Sequence, residues 1–122
     1  MTKRVNTDSY MEFVNAVTSE ESKDYIPFNS RCFEIQSGDD GIPIHRLITA
    51  ALGMGAESGE FTEVVKKIVF QGKPVNEDNI FHMKRELGDI MWYVAQACMS
   101  LDTTIDEIIE MNVEKLQARY PG

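Results

Sequence analysis

The sequence is short of cysteine, of basic residues and of long apolar runs, and each shortage excludes a class of protein. Its two cysteines, Cys32 and Cys98, form no C-x-x-C motif and no disulfide framework, so we expect both to be reduced, with Cys98 as a small core residue. The longest nearly unbroken apolar stretch, Ile90 to Met99, is interrupted by Gln96 and is too short to cross a bilayer. We therefore expect no membrane partner.

Basic residues are outnumbered by acidic ones, 12 against 20, which gives a formal charge of −8. A nonspecific nucleic-acid surface needs a basic patch, so this balance predicts no nucleic-acid partner. A polyanionic small molecule is still compatible, because bound divalent ions can reverse the sign of an acidic site. The first residues, MTKRVNTDSY, contain no apolar signal region, and we expect a cytoplasmic protein.

What is present is the composition of an ordinary folded domain: 122 residues, of which 43% are hydrophobic and 26% charged. The length predicts a single domain over residues 1–122, with an N-terminal helix and long loop in 1–42 and a helical core in 43–122. Such a chain is small for a helical protein that also contains a charged cavity, so we expect a partner subunit to complete the fold.

Four helices are predicted. The first is capped by Thr7 or Asp8 and ends near Thr18, and residues 19–41 then have loop composition with interspersed aromatic residues. A loop this long is either functional or mobile, or is a strap whose aromatic residues cover the core. The second helix begins at Pro43 and stops at Gly72.

The third predicted helix covers roughly 77–101, and the fourth follows the capping residues Thr103 and Thr104 and ends near Tyr120. The second helix is rich in small residues at its middle, although each interior glycine costs about 1 kcal/mol relative to alanine. Close approach of another helix or a ligand is one explanation, and a kink near Gly53 or Gly55 is another. The predicted fold class is all-α, a four-helix bundle completed by dimerisation.

Two carboxylate pairs, Glu57/Glu60 and Glu86/Asp89, lie inside segments that otherwise have the pattern of buried helix. Residues three apart differ by about 60° around a helix axis, so each pair directs two carboxylates to one side. Buried carboxylates need cations, metal or protons. An acidic, solvated face is the alternative for one such pair, but two pairs, each flanked by apolar residues, favour a metal site.

The donor set narrows the choice of metal. All four groups offer hard oxygen ligands, which favours Mg²⁺, with Mn²⁺ as a substitute, over zinc or copper. Di-iron bundles normally carry Glu-x-x-His, a motif that neither pair provides. A Mg²⁺ site of this kind keeps positions for water and substrate phosphates, which indicates phosphate-ester chemistry.

The segments ALGMGAESGEFTEVVKK, MKRELGDIMWYVAQACMSL and NVEKLQARYPG, in this order, resemble the MazG-type all-α nucleoside triphosphate pyrophosphohydrolases, including single-domain forms found in bacteriophages. The resemblance covers about residues 44–122. It implies Mg²⁺-dependent hydrolysis between the α and β phosphates of a nucleoside triphosphate, giving a monophosphate and pyrophosphate, in house-cleaning or nucleotide-pool control. It also implies a homodimer or homotetramer.

Residue by residue, the resemblance implies that Glu57, Glu60, Glu86 and Asp89 bind the metal and carry catalysis, with Glu60 as the general base. The implied contacts to phosphate, ribose or base are Lys66, Lys67, Tyr93, Asn112, Lys115, Arg119 and His45.

Several of these assignments have a structural alternative. Lys66 and Lys67 are equally typical of solvated helix ends, Tyr93 of core packing and His45 of a helix start. Trp92 is expected in the core or an interface. Glu63 lies about 240° around the helix from Glu57, so we expect an indirect role or a solvated charge.

Two other functions fit the same pattern. A related pyrophosphohydrolase of the phosphoribosyl-ATP or dUTP type would use the same four carboxylates, since fold does not separate substrates. A metal-dependent regulatory module that binds nucleotides without hydrolysing them is the non-enzymatic alternative, although it would not need all four.

Overall fold

The computed structural model describes residues 5–121, and every regular element in that range is a helix. The helices are α1 (Thr7–Val17), α2 (Glu20–Lys23), α3 (Tyr25–Ser37), α4 (Ile44–Phe70), α5 (Glu77–Ser100) and α6 (Ile105–Arg119). The all-α class is confirmed, and all four predicted helices are present close to their expected bounds. Residues 5–41 form one compact unit, and residues 42–121 form a second.

In the first unit, the prediction of a loop over residues 19–41 is wrong, because α2 and α3 occupy most of it. Asp24 caps α3 by accepting a hydrogen bond from the Ile26 backbone N–H at 3.2 Å. Pro27 lies in the first turn of α3, where a backbone N–H would have no partner within the helix. The cap of α1 also differs from the prediction, since Asn6 accepts from the Ser9 N–H at 3.0 Å.

In the second unit, α4 and α5 pair closely and form the frame of the fold. The turn between them begins at Gly72, whose φ of 74° is in the left-handed region that glycine tolerates. Asn76 caps α5 through the Asn79 N–H at 2.9 Å. Near the other end of the pair, Arg46 Nε donates to Gln96 Oε1 at 2.8 Å, which fixes an antiparallel register.

Helix α6 makes few contacts with α5, and its residues after Ile105 are exposed. Its start agrees with the sequence, because Thr104 accepts from the Glu107 N–H at 3.1 Å and the Thr103 hydroxyl donates to Glu107 Oε2 at 2.6 Å. Local capping therefore defines where α6 begins, although little packing within the chain holds it.

The apolar core of the described chain is small. Its buried apolar residues are Ala50, Val64 and Cys98, so the prediction for Cys98 is confirmed. No helix within residues 5–121 has the length and apolar character needed to span a membrane.

Candidate metal centre and adjoining cavity

The antiparallel register of α4 and α5 brings three carboxylates from the two predicted pairs together. Glu57 lies on α4, and Glu86 and Asp89 lie one turn apart on α5. One carboxylate oxygen from each falls within 4.8 Å of the other two. Glu57 is half-buried, Glu86 retains only 9% of its exposure, and Asp89 is exposed, so the group runs from the helix interface to the solvent.

Glu60, the fourth predicted ligand, lies next to this group and does not join it. Its side chain is exposed, and its negative charge acts on Glu57 from one helical turn away. Glu57 is half-buried against α5 whereas Glu60 is exposed, so the pairing of the two helices brings only one carboxylate of this pair to Glu86 and Asp89.

The clustering of carboxylates changes the pKa of Glu57. The neighbouring carboxylate of Glu86, to which a protonated Glu57 can donate a hydrogen bond, raises the pKa of the Glu57 carboxyl, and burial and the negative charges of Glu86, Asp89 and Glu60 raise it further. Within residues 5–121, no lysine or arginine forms an ion pair with Glu57, Glu86 or Asp89. These three residues, the carboxylate trio, therefore lack compensating lysine or arginine side chains.

Glu86 has one oxygen with a partner and one without. Its Oε1 lies 3.1 Å from His82 Nε2, one turn earlier on α5. Its Oε2 is buried and has no hydrogen-bond partner within the described chain. Sequence reasoning gave His82 no role, although the i, i+4 spacing of His82 and Glu86 is a signal that predicts such a contact.

A cavity of about 270 Å³ opens beside the carboxylates and is lined by Glu57, Asp89, Trp92 and Tyr93. Trp92 is 65% exposed, so of its two expected places the core of this chain is excluded, and a place in an interface stays a prediction. Tyr93 lies in the cavity wall, on the side predicted from its spacing to Asp89. The cavity thus combines acidic groups with two aromatic side chains.

Tyr93 is positioned by the absence of a side chain at Gly53. A Cβ at Gly53 would overlap the Tyr93 ring, so the ring lies against bare α4 backbone. Helix α4 continues unbroken past Gly53 and Gly55, and the close approach of α5 accounts for Gly53.

We expect Gly53→Ala to lower both thermal stability and activity. The added methyl group would force the Tyr93 ring off its place, and overpacking of this kind typically costs about 1–3 kcal/mol, more than the roughly 1 kcal/mol gained in helix propensity. Gly55→Ala is the matched control, because a Cβ there meets no atom within 4 Å, and it should stabilise the protein. Thermal unfolding measures both, and equal stabilisation by the two variants would contradict the placement of Tyr93.

The other predicted substrate contacts lie outside this cavity lining. Lys66 and Lys67 pair with Glu63 at 3.3 and 3.9 Å, so Glu63 acts as the partner of surface cations. His45 is exposed in the first turn of α4. Exposed α6 carries the remaining three, which are Asn112, Lys115 and Arg119.

Comparison with known proteins places the chain in a family. Residues 47–122, more than half of the chain, match the model described as MazG nucleotide pyrophosphohydrolase domain. The chain therefore belongs to the MazG nucleotide pyrophosphohydrolase family, as its motifs predicted.

The chain is also similar to a bacteriophage protein. The protein named Gene 37 protein, from Mycobacterium phage L5, is 38% identical over 77 residues, which are 62% of this chain and 68% of that protein. No solved structure matches the chain significantly.

Proposed function

We propose that this protein is a Mg²⁺-dependent nucleoside triphosphate pyrophosphohydrolase that cleaves between the α and β phosphates. The observation that carries the proposal is the carboxylate trio, whose buried Glu86 Oε2 has no partner, beside a cavity walled by Trp92 and Tyr93. Membership of the MazG family supports the reaction class.

The residues of the trio suit a hard divalent cation. Glu57, Glu86 and Asp89 would hold Mg²⁺ or Mn²⁺ through carboxylate oxygens. When bound, such a cation neutralises phosphate charge and lowers the pKa of water. The raised pKa of Glu57 supports this assignment, because uncompensated carboxylates repel one another until a cation binds.

Other side chains of the protein would accept the proton of the attacking water and contact the nucleotide. The exposed Glu60 carboxylate is free to accept the proton of the attacking water, whose oxygen forms a new bond to phosphorus while the α–β bridging bond breaks and pyrophosphate leaves. The rings of Trp92 and Tyr93 offer apolar faces to the nucleoside. The cationic donors Lys66, Lys67, Lys115 and Arg119, with Asn112 and His45, remain proposed substrate contacts.

We also propose that the active form is a homodimer or homotetramer. Three buried apolar residues are few for residues 5–121, while α6 exposes an apolar surface that no other part of this described range covers. That surface comprises Ile108, Ile109, Met111, Val113 and Leu116. A second copy would bury this surface.

The reaction is tested by its first product. Purified protein should release pyrophosphate from at least one (d)NTP when Mg²⁺ or Mn²⁺ is present, and chelation should abolish turnover. A panel of standard and modified nucleotides would show which base and sugar it prefers. Orthophosphate as the initial product, or full activity after chelation, would contradict the proposal.

A further inference from the structure

His82 is the neighbour of the carboxylate trio that neither the motifs nor the proposed reaction uses. Its Nε2 lies 3.1 Å from Glu86 Oε1, and the two residues are one turn apart on α5. The side chain of Glu86 is only 11% exposed, whereas that of His82 is 46% exposed. The contact therefore joins a surface imidazole to a carboxylate that is nearly enclosed.

The contact distinguishes the two oxygens of Glu86. When the Glu86 carboxylate is ionised it only accepts hydrogen bonds, so we assign His82 the tautomer that carries its proton on Nε2, with Nε2 as the donor and Oε1 as the acceptor. The terminal torsion of a glutamate side chain has a broad, weak preference, so without a partner the carboxylate plane is poorly fixed. With Oε1 held, Oε2 is the buried oxygen left without a hydrogen bond.

Two simpler roles for His82, as a direct metal ligand or as a member of an ordinary surface pair, fit less well. Its nitrogens are not among the ligand atoms that converge within 4.8 Å, which are those of Glu57, Glu86 and Asp89. An ordinary i, i+4 surface pair joins two solvated groups, but here the acceptor is buried at the interface of α4 and α5.

We propose that His82 is a positioning residue: by donating from Nε2 to Glu86 Oε1, it orients the carboxylate so that Oε2 is the oxygen available to a divalent cation. This inference rests on the proposed function, because it takes the trio to be a cation site. Partners that orient metal ligands in this way typically contribute 10–100-fold in metal affinity.

The test is a calorimetric titration with Mn²⁺ alone, without nucleotide. His82→Leu removes the donor and should weaken Mn²⁺ binding about tenfold or more. His82→Gln keeps an N–H donor that can reach a carboxylate four residues later, and should recover most of the affinity. Lys84→Ala, an exposed change on the same helix, is the control and should leave the affinity unchanged.

A second measurement separates positioning from structure. The Mn²⁺ concentration for half-maximal pyrophosphate release should rise in His82→Leu, while kcat at saturating Mn²⁺ stays close to that of the wild type. Thermal unfolding in chelator checks that each variant is folded.

The outcomes separate this inference from the proposed function. Wild-type affinity in His82→Leu, or no recovery in His82→Gln, would overturn the positioning role while leaving the carboxylate site intact. Failure of the wild-type protein to bind Mn²⁺ would overturn the cation site and the positioning role together.

Discussion

Glu57→Gln is expected to reduce kcat/KM at least about a hundredfold and, in metal-free protein at neutral pH, to raise the melting temperature. The loss of activity follows because one ligand of the proposed cation is removed, and single electrostatic contacts at reacting centres typically contribute about 10²–10³-fold. The gain in stability follows because glutamine keeps the shape of the side chain and removes one of the mutually repelling charges.

The pH dependence of folding stability shows whether ionised Glu57 stabilises or destabilises the metal-free protein. The pKa of Glu57 is raised in the folded state above the ordinary value of 4.5. The folded state then binds the proton more tightly than the unfolded state does, so this group favours folding below pH 4.5 and loses that contribution as pH rises through the raised pKa. We expect the stability of the wild type in chelator to fall over that window, and that of Glu57→Gln to fall less.

Thermal unfolding at several pH values, with and without Mn²⁺, measures both parts of this prediction. Glu63→Gln is the matched control on α4, because Glu63 pairs with Lys66 and Lys67 outside the trio. Loss of that exposed pair should change stability by at most about 1 kcal/mol and activity far less than Glu57→Gln does. A destabilised Glu57→Gln variant with near-wild-type activity would mean that Glu57 has a structural role only.

The second large effect concerns assembly. We expect light scattering at micromolar concentration to give at least twice the chain mass of 13.8 kDa, and Ile109→Glu to shift the protein to a monomer of lower stability. Ile109 is 54% exposed on α6, amid the apolar surface that the chain leaves uncovered. A charge buried there without a partner costs several kcal/mol, and each 1.4 kcal/mol weakens association tenfold.

Glu114→Gln is the control for this substitution, since position 114 lies about 140° around the helix from Ile109. It should leave the mass unchanged. A wild-type protein that scatters as a stable monomer would contradict the assembly and would mean that this chain folds with an unusually small core.

Local signals in the sequence were enough to predict α4, α5 and α6. Caps and stops depend on residues within a turn of one another, which is why Thr104 was correctly assigned as a cap and Gly72 as part of the turn after α4. The same local rules, applied more closely to Asp24 and Pro27, would have found α3. The sequence pattern predicts a loop there because polar residues obscure the apolar period.

The sequence by itself determined the all-α class, the family and the carboxylates that belong to one region, since motif spacing and helical period are properties of the chain. The tertiary structure decided which of them meet. The register of α4 against α5 brings Glu57 to Glu86 and Asp89 and leaves Glu60 outside, and the bare backbone at Gly53 admits the Tyr93 ring. Such contacts depend on the distance and rotation between two helices, which no spacing within either helix specifies.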